Sequence, residues 1–190
     1  DRSSLQYNPL LAKAGQGSPS NPLKLAELGD PTGRNHAAFP FLSKSTGKFY
    51  VIGGDEIFPW GIGALKDEPS NPRGGYHFLN FSDPDNPVEE AIYQVPEAGS
   101  HNMWIVGDTL ITGNYQGGLR IVDISGELLG DIYKQGREIG VYLSLHENGR
   151  IPNSPMVWGA QPYKEYIFFA DMNSGLYCIV IENEEKTEAP

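Results

Sequence analysis

The chain has a single cysteine, Cys178, in 190 residues. It therefore carries no internal disulfide framework and no cysteine-based zinc cage. Positive charge is scarce as well: 14 Lys and Arg stand against 24 Asp and Glu, a formal net charge of −10 at pH 7. Phosphate contacts need clustered Lys and Arg, so this balance argues against a nucleic-acid binder. No run of about 18 apolar residues exists, which excludes a membrane-spanning helix. The chain starts at Asp1 without a basic stretch followed by an apolar one, and is expected to be a processed mature form or a piece of a longer protein. Catalytic signatures are missing too. There is no GxSxG elbow and no phosphate-binding loop, and Gly61-Ile-Gly63 lacks the third glycine of a dinucleotide fingerprint. No catalytic residue, cofactor or complete metal-ligand set is assigned from sequence.

What is plentiful is glycine (23), proline (15) and aromatic residues (11%). That mixture favours short strands joined by tight turns and is too apolar for a disordered chain. A length of this order implies one domain able to bury roughly 70% of its unfolded surface. Residues 1–35, rich in Pro, Gly, Ser and Asn, read as an extended N-terminal arm. Within it, residues 22–28 alternate apolar and polar side chains like a strand. Residues 183–190 form an acidic tail.

Between these ends, three segments align after a glycine: Gly75-Tyr-His-Phe-Leu-Asn, Gly118-Leu-Arg-Ile-Val-Asp and Gly175-Leu-Tyr-Cys-Ile-Val, with the glycines 43 and 57 residues apart. Each follows a turn and a β-rich run: 48–53, 109–114 and 166–171. Ahead of those lie 36–41, 101–106 and 154–159. Fourth strands are read at 87–93 and 127–133, and 22–28 resembles that fourth strand placed before the first repeat. Four short strands per 40 to 55 residues is the pattern of a β-propeller blade. The expected fold is therefore all-β, with about three four-stranded antiparallel blades over 36–182. Apolar residues on both faces of Ile121, Val122 and Ile124 fit a strand sandwiched between neighbouring blades. Three blades do not close a ring, so further blades belong to a larger chain, or two copies complete a six-bladed ring.

The run Ala98-Gly-Ser-His-Asn-Met-Trp-Ile, then Gly117-Gly-Leu-Arg-Ile-Val-Asp-Ile-Ser and Asp131-Ile-Tyr, resembles the LVIVD-repeat β-propellers. So does Phe81-Ser-Asp-Pro-Asp-Asn-Pro-Val-Glu-Glu-Ala-Ile-Tyr, a turn into the outer strand. The likeness is good over about 76–182, weaker over 36–75 and absent from the first twenty residues. It implies a bacterial or archaeal protein, generally exported (extracellular, cell-surface or periplasmic) and without an assigned activity.

His36 and His101 hold the same place in their repeats, with Ser154 in the third. In a propeller these positions lie near the channel mouth, where imidazoles either bond to a neighbouring blade or bind a metal or anion. Asn80 and Asp123 are equivalent positions near the ends of two middle strands, and Asp123 is expected to accept backbone N–H bonds from the following turn. About twenty residues are inserted after the second strand of the first repeat, and carry Phe58, Trp60, Ile62 and Leu65. A loop with this apolar load either folds over its own blade or docks on a partner. Phe58, Trp60 and Ile62 are the partner-binding candidates. A second insertion, 137–153, has alternating Val141, Leu143 and Leu145 that add a strand or a packed loop. Trp104 and Trp158 are expected in the core, Cys178 as a buried inert thiol. Two functions compete. One is a non-catalytic exported interaction or scaffold module, an accessory subunit of a surface or membrane-bound assembly, whose partner is another protein or further blades of the same propeller. The other is a metal- or ligand-binding propeller enzyme with a channel site around His36 and His101.

Overall fold

The structure, a computed structural model, describes residues 18–29, 35–56, 74–96 and 98–181. Over these it is all-β, without a helix. The first sheet is a meander of β1 (Asn35–Leu42), β2 (Phe49–Asp55), β3 (Tyr76–Asn80) and β4 (Val88–Tyr93), each antiparallel to the next. The second contains β5 (Met103–Val106), β6 (Thr109–Gly113), β7 (Leu119–Asp123) and β9 (Glu138–Tyr142), again antiparallel. The third has β10 (Val157–Tyr163), β11 (Tyr166–Asp171) and β12 (Gly175–Val180). A two-residue strand, β8 (Gly130–Asp131), lies parallel to β4 and makes the first sheet five-stranded. None of the three sheets closes on itself. The three glycine-led segments supply the third strands of three separate sheets.

Side-chain alternation decides how the sheets meet. Tyr50, Ile52, Tyr76, Phe78 and Tyr93 of the first sheet pack on Leu110, Val122 and Ile124 of the second chain section, and all are fully buried. The neighbouring residues Ile111, Leu119 and Ile121 point the other way, onto Val157, Ile167 and Phe169 of the third sheet. The second sheet is thus apolar on both faces and buried on both, as Ile121 and Val122 led us to expect. Turns behave locally: Asn80 Oδ1 accepts the Ser82 N–H at 2.8 Å, and Asp123 Oδ1 accepts the Ser125 N–H at 2.8 Å. The Asn80 amide also donates to Glu90 at 2.8 Å, which occupies the side chain of the Asn80-Phe81-Ser82 glycosylation sequon.

Several expectations are corrected. The fourth strand of the second sheet comes from the insertion, at Glu138–Tyr142, not from 127–133. The latter segment contains Gly130 in the left-handed region, with Gly126 just before it and Gly136 beyond it (φ +65°, +68° and +69°), and so bends away to pair Gly130 and Asp131 with β4, burying Leu128 and Ile132 in the first core. No strand forms over 22–28; Ser18 and Asn21 make one isolated bridge. Trp104 and Trp158 are 37% and 41% exposed, and Cys178 is exposed. Cys178 and Phe168 stand on the face of the third sheet opposite Ile167 and Phe169, and only the latter face is covered by the second sheet. Phe58, Trp60, Ile62 and Leu65 lie outside the described residues. Among the described residues, no helix is long and apolar enough to cross a membrane.

Gly118 provides a test of this packing. Its φ is +76°, and an added Cβ would sit 2.4 Å from the Tyr142 carbonyl oxygen of β9. Gly126 has a similar φ, +68°, but open space around it. Both Gly→Ala changes incur the left-handed penalty of about 1 kcal/mol. Gly118→Ala also forces β7 and β9 apart, so it is expected to cost at least about twice as much in urea denaturation. Equal losses would contradict the β7–β9 pairing.

Candidate metal centre

The first strands of the three sheets converge at one edge of the stack. Because β1 runs antiparallel to β2, the start of β1 lies beside the end of β2, and Asn35 pairs with Asp55. The register shifts between Asn35 and Ala37, leaving His36 as the extra residue of a bulge, which re-aims its side chain. Glu56 follows directly after β2. His101 precedes β5, with its N–H donating to the Gly113 carbonyl (3.1 Å) and to the Tyr76 hydroxyl (3.2 Å). Tyr76 in turn donates to Gly113 at 2.8 Å, tying the first sheet to the second beside His101.

These placements gather three side chains distant in sequence. One ligand atom from each of His36, Glu56 and His101 lies within 4.8 Å of the others. His36 Nδ1 is 3.2 Å from Glu56 Oε2, and His101 Nε2 is 3.6 Å from Glu56 Oε1. The imidazole centroids are 4.4 Å apart. Around them, Tyr115 donates its hydroxyl to Glu56 Oε1 at 2.7 Å, and His36 Nε2 lies 3.2 Å from Asn102 Oδ1. Trp158 flanks His101 with a centroid separation of 4.9 Å.

The hydrogen bonds constrain the charge at the centre. An amide oxygen only accepts, so Asn102 holds the proton of His36 on Nε2. His36 Nδ1, if unprotonated, then points its lone pair at a carboxylate oxygen 3.2 Å away. Two acceptors at that distance repel unless a proton or a cation lies with them. His101 is held neutral: burial first, and then the charge of His36, push its pKa down to about 4, with Glu56 and the Trp158 backbone opposing. Its ring also lies against the Trp158 backbone. Burial, reinforced by the bond to Glu56, raises the Tyr115 hydroxyl, so it stays protonated and serves as a donor. A neutral imidazole and a carboxylate are metal ligands, and a positioning hydrogen bond to the far nitrogen of His36 is what metal-bound histidines commonly have.

His36 and His101 are therefore brought together. Ser154, expected at the third position, is not in the cluster; its carbonyl accepts the Asn173 amide at 2.7 Å, and Trp158 stands beside His101 instead. The reason is a second bulge, between Val157 and Gly159, which makes Trp158 the counterpart of His36. Glu56 escaped the sequence reading because it was counted with the inserted loop. The usable signal was strand pairing, since the end of the second strand must lie beside the start of the first. His146 and Glu147 are exposed and lie apart from the cluster. His77 is enclosed differently, with Nε2 at 3.2 Å from Asp55 and Nδ1 at 3.0 Å from Glu89. Both of its nitrogens face carboxylates, which makes it a brace holding β2, β3 and β4 behind the cluster.

No protein-family model matches this chain, and searches of curated proteins and of solved structures return no similar protein.

A histidine with a depressed folded pKa binds its proton on unfolding between the two values. Its contribution is present above about pH 6.5 and is lost as pH falls towards 4. Histidine NMR of the metal-free protein should show one imidazole titrating near pH 4, absent in His101→Asn, and the wild type should lose on the order of 2 kcal/mol more stability than that variant between pH 7 and 4. A His101 midpoint at 6 or above would exclude the buried neutral imidazole.

Proposed function

We propose that this chain is a metal-binding β-propeller module of the LVIVD-repeat kind, holding one divalent transition ion on His36, Glu56 and His101. The observation that carries the reading is the meeting of two imidazoles and a carboxylate, from three separated stretches of chain, within 4.8 Å. Nitrogen and oxygen donors in this mixture suit zinc, iron(II), cobalt(II) or nickel(II) rather than calcium or magnesium. Three protein ligands leave at least one coordination position for water or a small ligand. The His36 and Glu56 side chains are 31% and 28% exposed, so such a ligand has a way in. The ion's contribution is Lewis acidity; the protein's is the Glu56 carboxylate, fixed by Tyr115, and a His101 that is neutral at physiological pH.

The propeller reading draws support from the sheet order. Three antiparallel meanders stack face to face, their third strands are the three glycine-led segments, and their first strands converge on the cluster. The LVIVD likeness, and the exported setting that goes with it, rest on the motifs at 81–93, 98–105 and 117–125. A second function, assembly with a protein partner, is favoured by one observation: the outer face of the third sheet presents Tyr166, Phe168, Leu176 and Val180 to solvent, with Leu176 at 77% exposure.

Titration of metal-free protein with Co²⁺ or Zn²⁺, followed by calorimetry and by the visible Co²⁺ spectrum, should give one ion per chain. His36→Ala, His101→Ala and Glu56→Gln should each weaken binding at least about tenfold with near-UV circular dichroism retained, and Asn102→Ala should weaken it less. At a hundredfold excess over Kd the ion should add about 2.7 kcal/mol of stability. Binding that is absent, or untouched by all three ligand changes, would end this reading.

A further inference from the structure

The third sheet lacks what the other two have. Beyond β3 lies β4 and beyond β7 lies β9, yet among the described residues no strand lies beyond β12. In its place is a groove of about 380 Å³ between β9 and β12, walled by Ile121, Ile139, Tyr142, Ile179 and Val180. Its β12 wall is an open strand edge, which is able to receive another strand. Residues 182–190 lack the Pro-x-Asn-Pro turn that leads into β4.

A better occupant stands near the other end of the sequence. Ser18-Pro-Ser-Asn-Pro-Leu-Lys-Leu-Ala-Glu-Leu28 repeats the pattern of Asp83-Pro-Asp-Asn-Pro-Val-Glu-Glu-Ala-Ile-Tyr93, which is the turn leading into β4 together with β4 itself. The two turns form alike: the Asn21 N–H donates to the Ser18 carbonyl at 3.0 Å, and the Asn86 N–H to the Asp83 carbonyl at 3.2 Å. After its turn, β4 pairs with β3; residues 22–28 pair with nothing in sheet fashion, and Leu23 is 49% exposed. In the match, Ala26 and Leu28 take the places of Ala91 and Tyr93, the two inward-facing residues of β4.

The chain's own geometry argues against self-completion. Seven Cα steps separate Leu28 from Asn35, a reach of at most about 24 Å when fully extended. Two sheet spacings of about 10 Å and three strand spacings of about 4.8 Å put the vacant edge roughly that far away in a straight line. That line runs through the packed second sheet, leaving no length for a detour.

We infer that residues 22–28 of a second copy pair with β12 as the fourth strand of the third sheet, each copy donating to the other. The same exchange carries the donor's first sheet towards the exposed face bearing Phe168 and Leu176. Stacking direction agrees. Tyr76 and Phe78, one and three residues after Gly75, face the second sheet; Leu119 and Ile121, one and three after Gly118, face the third. Leu176 and Cys178, one and three after Gly175, face solvent. The face that each earlier sheet buries against its successor is, on the third sheet, still uncovered.

Light scattering coupled to size exclusion should give a dimer, twice 20.9 kDa, at micromolar concentration. Leu25→Pro and Leu28→Asp should each give a monomer that keeps its near-UV circular dichroism and its metal affinity. Because Phe78 pairs with Ala91, Ala26 should lie opposite Cys178. A short bismaleimide should therefore link an Ala26→Cys/Cys178→Ser chain to an unmodified chain carrying an affinity tag, while neither protein alone cross-links. This arm holds even if the Leu28 variant fails to fold. A monomeric wild type, a dimer indifferent to both substitutions, or the absence of the mixed adduct would each overturn the inference.

Discussion

A sheet that is apolar on both faces cannot stand alone in water, and the second sheet is such a sheet. Leu110 and Val122 look one way, Ile111 and Ile121 the other, and all are buried. Burying a side chain of this size is worth roughly 1.5–3 kcal/mol, so the first and third sheets are held in place chiefly by what they hide on the second. Every other feature follows from this stacking. The edges of the three sheets come into line, and residues far apart in sequence become neighbours there. The cluster at His36, Glu56 and His101 is a product of that alignment more than of any local motif.

The stacking also sets the chemistry. His101 sits deep enough that its cationic form is disfavoured, while His36 and Glu56 remain closer to solvent. Glu56 is the common partner: two imidazoles and the Tyr115 hydroxyl converge on its two oxygens. Those three groups come from β1, the approach to β5 and the turn after β6, so a displacement of either sheet by one strand register would scatter them. The buried Tyr76 hydroxyl, shared between the His101 N–H and the Gly113 carbonyl, guards against that displacement.

Much of this was legible in the amino-acid order, and the remainder was hidden for identifiable reasons. Glycine-led apolar runs marked three third strands because a short run of aromatic or β-branched residues bounded by glycine has few alternatives. Asn80 and Asp123 marked their turns because the bonds they make are local. The pairing of His36 with His101 followed from spacing within the two segments. Glu56 is not legible there because its relevance depends on a strand pairing, while its place in the sequence joins it to the loop that follows. Trp158 was displaced by a one-residue bulge that leaves no trace in composition. Alternation told which residues of β12 share a face, but not which face has a neighbour; hence Cys178 was expected inside and is found outside. Strand β9 lay within an apparent insertion, since Glu138–Tyr142 lacks the turn motif that announces β4.

The row of rings formed by His36, His101 and Trp158, spaced 4.4 and 4.9 Å between centroids, gives the molecule an optical handle of its own. An indole in contact with an imidazole is quenched more strongly when that imidazole gains positive charge. With Trp60 and Trp104 replaced, the emission of Trp158 therefore serves as a gauge of events at His101, read without any label attached.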